Sequence, residues 1–209
     1  MVRRQQRGGV LVLPGGKQHS SERFRPWQPA NQRMFWLAVS LRCRFGTGVR
    51  VRSVKYRVRG WNGAQRDPVR DAERALARML EDVHPHRLVV VGHSMGGRVA
   101  AHLSAGGDVG GVVALAPWWP RNDGELVPNS CRLLVLHGTA DKRTDPRSSL
   151  AQTRRAKDRG VDARWIGVPD AGHYLLTHWR QWHRLTAQFV AEQLSKPAPE
   201  LNDDPPAPR

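Results

Sequence analysis

Residues 88–97 read Leu-Val-Val-Val-Gly-His-Ser-Met-Gly-Gly, and this stretch decides the fold of the 209-residue chain. Leu88–Val91 is a continuous apolar run, which is typical of a strand buried on both faces of a parallel sheet. A helix is predicted to begin directly after the serine, so Ser94 lies on a sharp turn between strand and helix. Gly92 and Gly96 flank it because side chains there would clash with the two elements that the turn brings together.

The Gly-x-Ser-x-Gly pattern by itself is modest evidence for a nucleophile. A chain of this composition contains roughly 0.09 such matches by chance. The position of the pattern, between a buried strand and a helix, is what makes it informative, since an exposed serine nucleophile needs that turn.

Apolar runs and helical periodicities alternate along the rest of the chain, and this alternation predicts one α/β domain over residues 1–195. We expect about six mostly parallel strands with helices on both faces of the sheet. Strands are predicted at residues 10–13, 49–58, 88–91, 111–116, 133–137 and 163–168. Helices are predicted from Met95, from Trp179 to about Leu194, and after the N-caps Asn31, Asp67 and Asp145. Residues 196–209 are rich in proline and are predicted to form a disordered tail.

The net charge of +16 is concentrated near the start of the chain. Residues 1–60 carry 14 Lys and Arg against one acid, Glu22. We interpret this excess as a solvated basic face and expect no specific nucleic-acid partner, because a regular pattern of base-stacking aromatics is missing.

Several classes of protein are disfavoured by simple absences. The sequence has no run of 18 apolar residues and no apolar segment long enough for a signal peptide, so a cytoplasmic protein without a membrane span is expected. Two cysteines in 209 residues do not suggest a disulfide framework. Metal-ligand spacings and phosphate-binding loops are lacking, so neither a metal nor a cofactor is expected. The oligomeric state is left open.

The residues after two later strands complete a chemical constellation. A serine hydroxyl needs a base to take its proton, and the base needs an orienting carboxylate. Asp141 and His173 each lie just beyond the carboxyl end of a predicted strand. Parallel strands end at one rim of their sheet, so both side chains are expected to meet Ser94 there. Asp123 and Glu125, after the preceding strand, are the alternative acids.

Two further features concern how a substrate would be held. The amide N–H of Met95 is one expected donor to a developing oxyanion, and the second is expected from the loop after the first strand, at Gly16 or alternatively Lys17. Trp118 and Trp119 could line an acyl pocket, with ordinary packing of the loop as the competing interpretation.

Taken together, these motifs resemble the α/β-hydrolase superfamily, in particular small members without a cap domain, similar to dienelactone hydrolases and carboxylesterases. The residues that carry the resemblance are 13–16, 92–97, 137–141 and 171–173. It implies Ser94 as nucleophile, Asp141 as acid and His173 as base. The stretch from Pro117 to Asn129 is too short for a cap, and the edge of the sheet falls at residues 49–58.

The resemblance implies hydrolysis of a small carboxylic ester through an acyl-serine intermediate. A thioesterase, a lactonase or a peptidase would use the same three residues, and the fold does not decide among them. A binding protein that uses the basic face without catalysis is the alternative from another class.

Overall fold

The computed structural model describes residues 8–196, and the remainder of the predicted tail lies outside this range. Strands and helices alternate along it. The strands are β1 (Gly8–Leu13), β2 (Val49–Ser53), β3 (Leu88–His93), β4 (Gly111–Leu115), β5 (Arg132–Gly138) and β6 (Ala163–Val168). The helices are α1 (Pro29–Phe45), α2 (Asp67–Leu80), α3 (Met95–Ser104), α4 (Pro146–Asp158) and α5 (Trp179–Ser195).

The six strands form one sheet in the order β2-β1-β3-β4-β5-β6, and every neighbouring pair is parallel. Alternate side chains of β1 enter two separate cores. Leu11 packs on the side of α2, α3 and α4, whereas Val10 packs on the side of α1 and α5. Helices therefore cover both faces, which confirms the expected α/β-hydrolase architecture. Between β4 and β5 only a short 3-10 turn, Asp123–Leu126, is found, in agreement with the absence of a cap.

The predicted edge strand at residues 49–58 is too long. Strand β2 ends at Ser53, the position where the apolar alternation slips by one residue. Beyond it Val54 still donates to the Val12 carbonyl, but the amide of Arg57 donates to the Asp71 carboxylate at 2.8 Å instead of to the sheet. A side chain of α2 thus replaces the missing strand pairing.

Two of the three predicted helix caps are wrong. Helix α1 begins at Pro29, because proline lacks the N–H that a first helical residue leaves unpaired, and the Asn31 amide instead donates to the Arg25 carbonyl at 2.7 Å. Asp67 is the first residue of α2, and its carboxylate accepts from the Asn62 amide. Asp145 does cap α4, since its Oδ1 accepts from the amide of residue 147 at 2.9 Å.

In residues 8–196 no helix is long and apolar enough to cross a membrane.

Candidate active site

The turn after β3 holds Ser94 in a backbone conformation that non-glycine residues seldom adopt, with φ 54° and ψ −116°. The neighbouring positions 92 and 96 must be glycine because no room is left for a side chain there. A Cβ on Gly92 would lie 2.1 Å from the carbonyl oxygen of Gly96, and a Cβ on Gly96 would lie 2.3 Å from the carbonyl oxygen of Leu13. Both clashes are with backbone, so neither can be relieved by a side-chain movement. The turn therefore lifts Ser94 clear of the sheet at the N-terminus of α3.

Loops from three strand ends bring Ser94, His173 and Asp141 into contact. The His173 Nε2 atom lies 3.0 Å from the Ser94 Oγ atom, and its Nδ1 atom lies 2.8 Å from Oδ2 of Asp141. Ser94 follows β3, Asp141 follows β5 and His173 follows β6. The imidazole can thus accept the serine proton on one nitrogen while it donates to the carboxylate with the other.

Asp141 is held in its charged form by a set of hydrogen bonds. Its Oδ1 accepts from the amides of Arg143 at 2.7 Å and Thr144 at 3.1 Å, and its Oδ2 accepts from the Thr144 hydroxyl at 2.8 Å. Burial raises the pKa of Asp141, but the bonds from His137, His173 and the two amides outweigh burial and keep the pKa well below its ordinary range. The carboxylate is therefore ionised beside His173 at neutral pH.

Two further histidines, His93 and His137, contact these residues. His137 is completely buried, with Nε2 3.2 Å from Oδ2 of Asp141 and Nδ1 2.8 Å from the Ser149 hydroxyl. His93, next to the serine, is also buried. Burial, together with the proximity of His173, lowers the pKa of His93 to about 3, so it is neutral and is no base. Both residues lie at the carboxyl ends of their strands, and the directions of their ring nitrogens leave no signal in the sequence.

The alternative acids lie elsewhere. Asp123 is buried and accepts from Arg98 at 2.7 Å, with His102 3.2 Å away. Glu125 pairs with Arg155 of α4, at 2.6 Å. Their partners are thus cations of α3 and α4, and the contact with His173 is made by Asp141.

Of the two candidate loop amides, that of Lys17 already donates to the Arg59 carbonyl at 2.8 Å. Within the described residues, the amides of Gly16 and Met95 have no such acceptor. Gly16 also lies against Met95, because a Cβ on this glycine would be 2.4 Å from the Met95 Cε atom. The loop after β1 and the start of α3 are therefore in contact beside Ser94.

The two tryptophans after β4 occupy different environments. Trp119 is a buried core residue whose indole N–H donates to the Gly97 carbonyl at 3.2 Å. Trp118 is half-buried and lines a cavity of about 420 Å³ together with Trp61 and Arg98. The guanidinium of Arg98 lies 4.0 Å from the ring centre of Trp61 and 4.9 Å from that of Trp118.

No cluster of three or more potential metal ligands occurs in residues 8–196.

Comparison with known protein families supports the same fold assignment as this geometry. A model of the alpha/beta hydrolase family matches residues 10–208. The chain belongs to this family. The superfamily resemblance inferred from the motifs is thereby confirmed, and with it the broad assignment to the hydrolases. A search of curated protein sequences finds no match.

Solved structures share the fold of this alpha/beta hydrolase at low sequence identity. An acetyl ester-xyloside bifunctional hydrolase from Caldicellulosiruptor lactoaceticus aligns with TM-score 0.67 and 17% identity, over 92% of this chain and 85% of its own. A truncated carbohydrate esterase from gut microbiota aligns with TM-score 0.69 and 15% identity, over 93% and 88%. Est1E from Butyrivibrio proteoclasticus, solved with ferulic acid, gives 0.67 and 14%, over 93% and 92%.

Proposed function

We propose that this alpha/beta hydrolase is a serine esterase that cleaves small carboxylic esters with Ser94, His173 and Asp141. The observation that carries the proposal is the continuous chain of contacts from the Ser94 hydroxyl through both nitrogens of His173 to Asp141, at 3.0 Å and 2.8 Å. Those distances are within hydrogen-bonding range, as general-base activation of a serine requires.

Acylation begins when Ser94 Oγ attacks the ester carbonyl carbon while Nε2 of His173 takes the hydroxyl proton. The imidazolium that forms is stabilised by the Asp141 carboxylate. The negative charge on the former carbonyl oxygen is bound by the amides of Met95 and Gly16. The intermediate then collapses, the C–O bond to the alcohol breaks, and His173 gives its proton to the departing alkoxide.

Deacylation repeats these steps with water. His173 takes a proton from a water molecule, whose oxygen attacks the carbonyl carbon of the acyl-serine. When this second intermediate collapses, Ser94 Oγ leaves and recovers its proton from His173, and the carboxylic acid is released. The short connection between β4 and β5 leaves the site open, which favours small or protruding esters.

The cavity walled by Trp61 and Trp118 is the proposed binding place for one half of the ester. Trp118 lies next to the nucleophile, because its amide donates to the Ser94 carbonyl at 3.0 Å. Arg66, Arg98 and Arg121 also line this cavity of about 420 Å³, and its apolar part, at the two indole rings, suits a short acyl chain or an aryl group.

The proposal is tested by labelling and turnover on the purified protein. A fluorophosphonate probe should label the wild-type protein at Ser94, and p-nitrophenyl acetate and butyrate should be hydrolysed. Ser94→Ala should lose both properties while its circular dichroism spectrum is unchanged. Ser53→Ala, which removes an exposed hydroxyl on β2, is the matched control and should keep both. Failure of the probe to label the folded wild-type protein would refute the proposal.

A further inference from the structure

Large apolar side chains are concentrated on one part of the surface. Of the seven exposed ones in the described residues, six belong to α1, the segment before it, and the segment from residue 174 to the start of α5. Two grooves, of about 450 and 540 Å³, are lined by members of this group, and Trp36 lines both. We call the six together the aromatic face: Trp27, Phe35, Trp36, Tyr174, Leu176 and Trp179.

The side chains of this face are more exposed to solvent than is usual for large apolar residues that lie close together on a monomeric protein. Trp27 and Trp36 are each 63% exposed and Leu176 is 69% exposed. Single apolar residues scattered over a surface are normal, but a contiguous apolar patch marks a place where another surface binds. The seventh exposed side chain, Leu126, lies after β4 and lines neither groove.

The charges around the aromatic face are all of one sign. The guanidinium groups of Arg25, Arg33 and Arg180 lie 5.4, 4.8 and 5.0 Å from the ring centres of Trp27, Tyr174 and Trp179 respectively. Neither residues 23–45 nor residues 171–191 contain an Asp or a Glu. In the described part of the chain none of these three arginines forms an ion pair with a carboxylate.

This combination discriminates among possible partners. A symmetric contact with a second copy would bring the same arginines together, and like charges at an interface oppose association. Nucleic-acid bases would place polar edges against the aliphatic lining of the groove around Leu37 and Leu176. Indole rings and arginines side by side instead match the region of lipid headgroups, where tryptophan is enriched and cations meet lipid phosphates.

We propose that the aromatic face docks this protein on the surface of an anionic phospholipid bilayer. The face begins one residue after the proposed base, since the ring of Tyr174 meets that of His173 edge-on with centres 5.6 Å apart. One edge of the aromatic face therefore adjoins the proposed base. The binding itself requires no catalysis, so it is separable from the proposed esterase activity.

The test measures co-sedimentation of the full-length Ser94→Ala protein with vesicles. We expect binding to vesicles of phosphatidylcholine mixed with phosphatidylglycerol, weaker binding at high salt, and little binding to phosphatidylcholine alone. Arg25→Gln and Arg180→Gln should each lower the partition coefficient about fivefold. Trp36→Ser combined with Trp179→Ser should lower it by about tenfold or more. Because the altered side chains are exposed, the fold should persist, and circular dichroism checks this.

Leu126→Ser is the matched control, since it removes an exposed apolar side chain from outside the aromatic face. It should bind vesicles like the parent protein. Trp27→Ser alone serves as a second test if the double variant does not fold. The proposal is overturned if the parent does not bind anionic vesicles, or if the tryptophan variants bind as well as Leu126→Ser. It is equally overturned if gel filtration shows a dimer that the tryptophan substitutions dissociate while vesicle binding is absent.

Discussion

The imidazole of His93 donates a hydrogen bond from Nε2 to the backbone carbonyl of His173, with 2.8 Å between the two atoms. The residue immediately before the proposed nucleophile thus holds the loop that carries the proposed base. The two rings also lie against each other, with centres 4.9 Å apart. Burial lowers the pKa of His93 to about 3, so the ring is neutral at neutral pH, and the carbonyl acceptor requires its proton to be on Nε2.

Replacing His93 by phenylalanine tests this positioning role. His93→Phe keeps the site filled but leaves the His173 carbonyl without its partner, which should cost about 1–3 kcal/mol of stability. The loop should also shift, so we expect kcat to fall roughly tenfold or more with KM little changed. Urea unfolding and steady-state kinetics on p-nitrophenyl butyrate measure the two effects.

The control for this variant is Ser104→Ala, at the other end of α3. It removes another buried hydrogen bond, from the Ser104 hydroxyl to the Ala101 carbonyl at 2.9 Å. It should lower stability without lowering kcat. An equal kcat for His93→Phe and the parent protein would rule out the positioning role.

The identity of the orienting acid can be decided by two amide substitutions. Asp141→Asn removes the negative charge beside His173 and favours the wrong tautomer, so kcat should fall by roughly 10⁴. Asp123→Asn leaves Arg98 without its charged partner and should lower stability, but kcat should change by less than about tenfold. Measured kcat values in the reverse order would assign the role to Asp123 instead.

The depressed pKa of Asp141 has a consequence for acid stability. A carboxyl group whose pKa is lower in the folded state stabilises the fold fully above its unfolded pKa, about 3.9, and loses that contribution as pH falls toward the folded pKa. The free energy of unfolding of the wild type should therefore exceed that of Asp141→Asn by a constant amount above about pH 5. Below about pH 4 the difference should shrink. Urea titrations of both proteins across this range measure it, and a difference independent of pH would contradict the expectation.

Most of the fold was predictable from the sequence because it depends on local rules. The apolar runs, the glycines around Ser94 and the cap at Asp145 each leave a signal within a few residues. Strand β2 ends at Ser53, where the apolar alternation slips, but the contact that follows it depends on a residue far along the chain, since Asp71 of α2 takes the amide of Arg57. A side chain from another element cannot be read from the apolar alternation of the strand itself.

In the candidate site, too, some features follow from local sequence signals and others depend on contacts between distant residues. The order of Ser94, Asp141 and His173 and their places after strands were enough to predict that the three would meet. The contacts of His93 and His137 depend on the directions of ring nitrogens across the sheet rim, which no spacing along the chain encodes. The aromatic face could not be predicted from the sequence pattern either. Helix α1 has an apolar periodicity, but whether its Trp36 is left uncovered depends on where α5 packs.

The last prediction concerns the space around the nucleophile. Gly96→Ala should destabilise the protein by at least about 2 kcal/mol, because the new methyl group would meet the Leu13 and Pro14 carbonyl oxygens at 2.3 and 2.7 Å and backbone must move. Gly48→Ala is the matched control: it adds the same methyl group in open space at a negative φ, and should be neutral or stabilising by a few tenths of a kcal/mol. Thermal and urea unfolding compare the two. If Gly96→Ala unfolds like Gly48→Ala, the turn is less tightly enclosed than these distances require, and the strained conformation of Ser94 loses its structural cause.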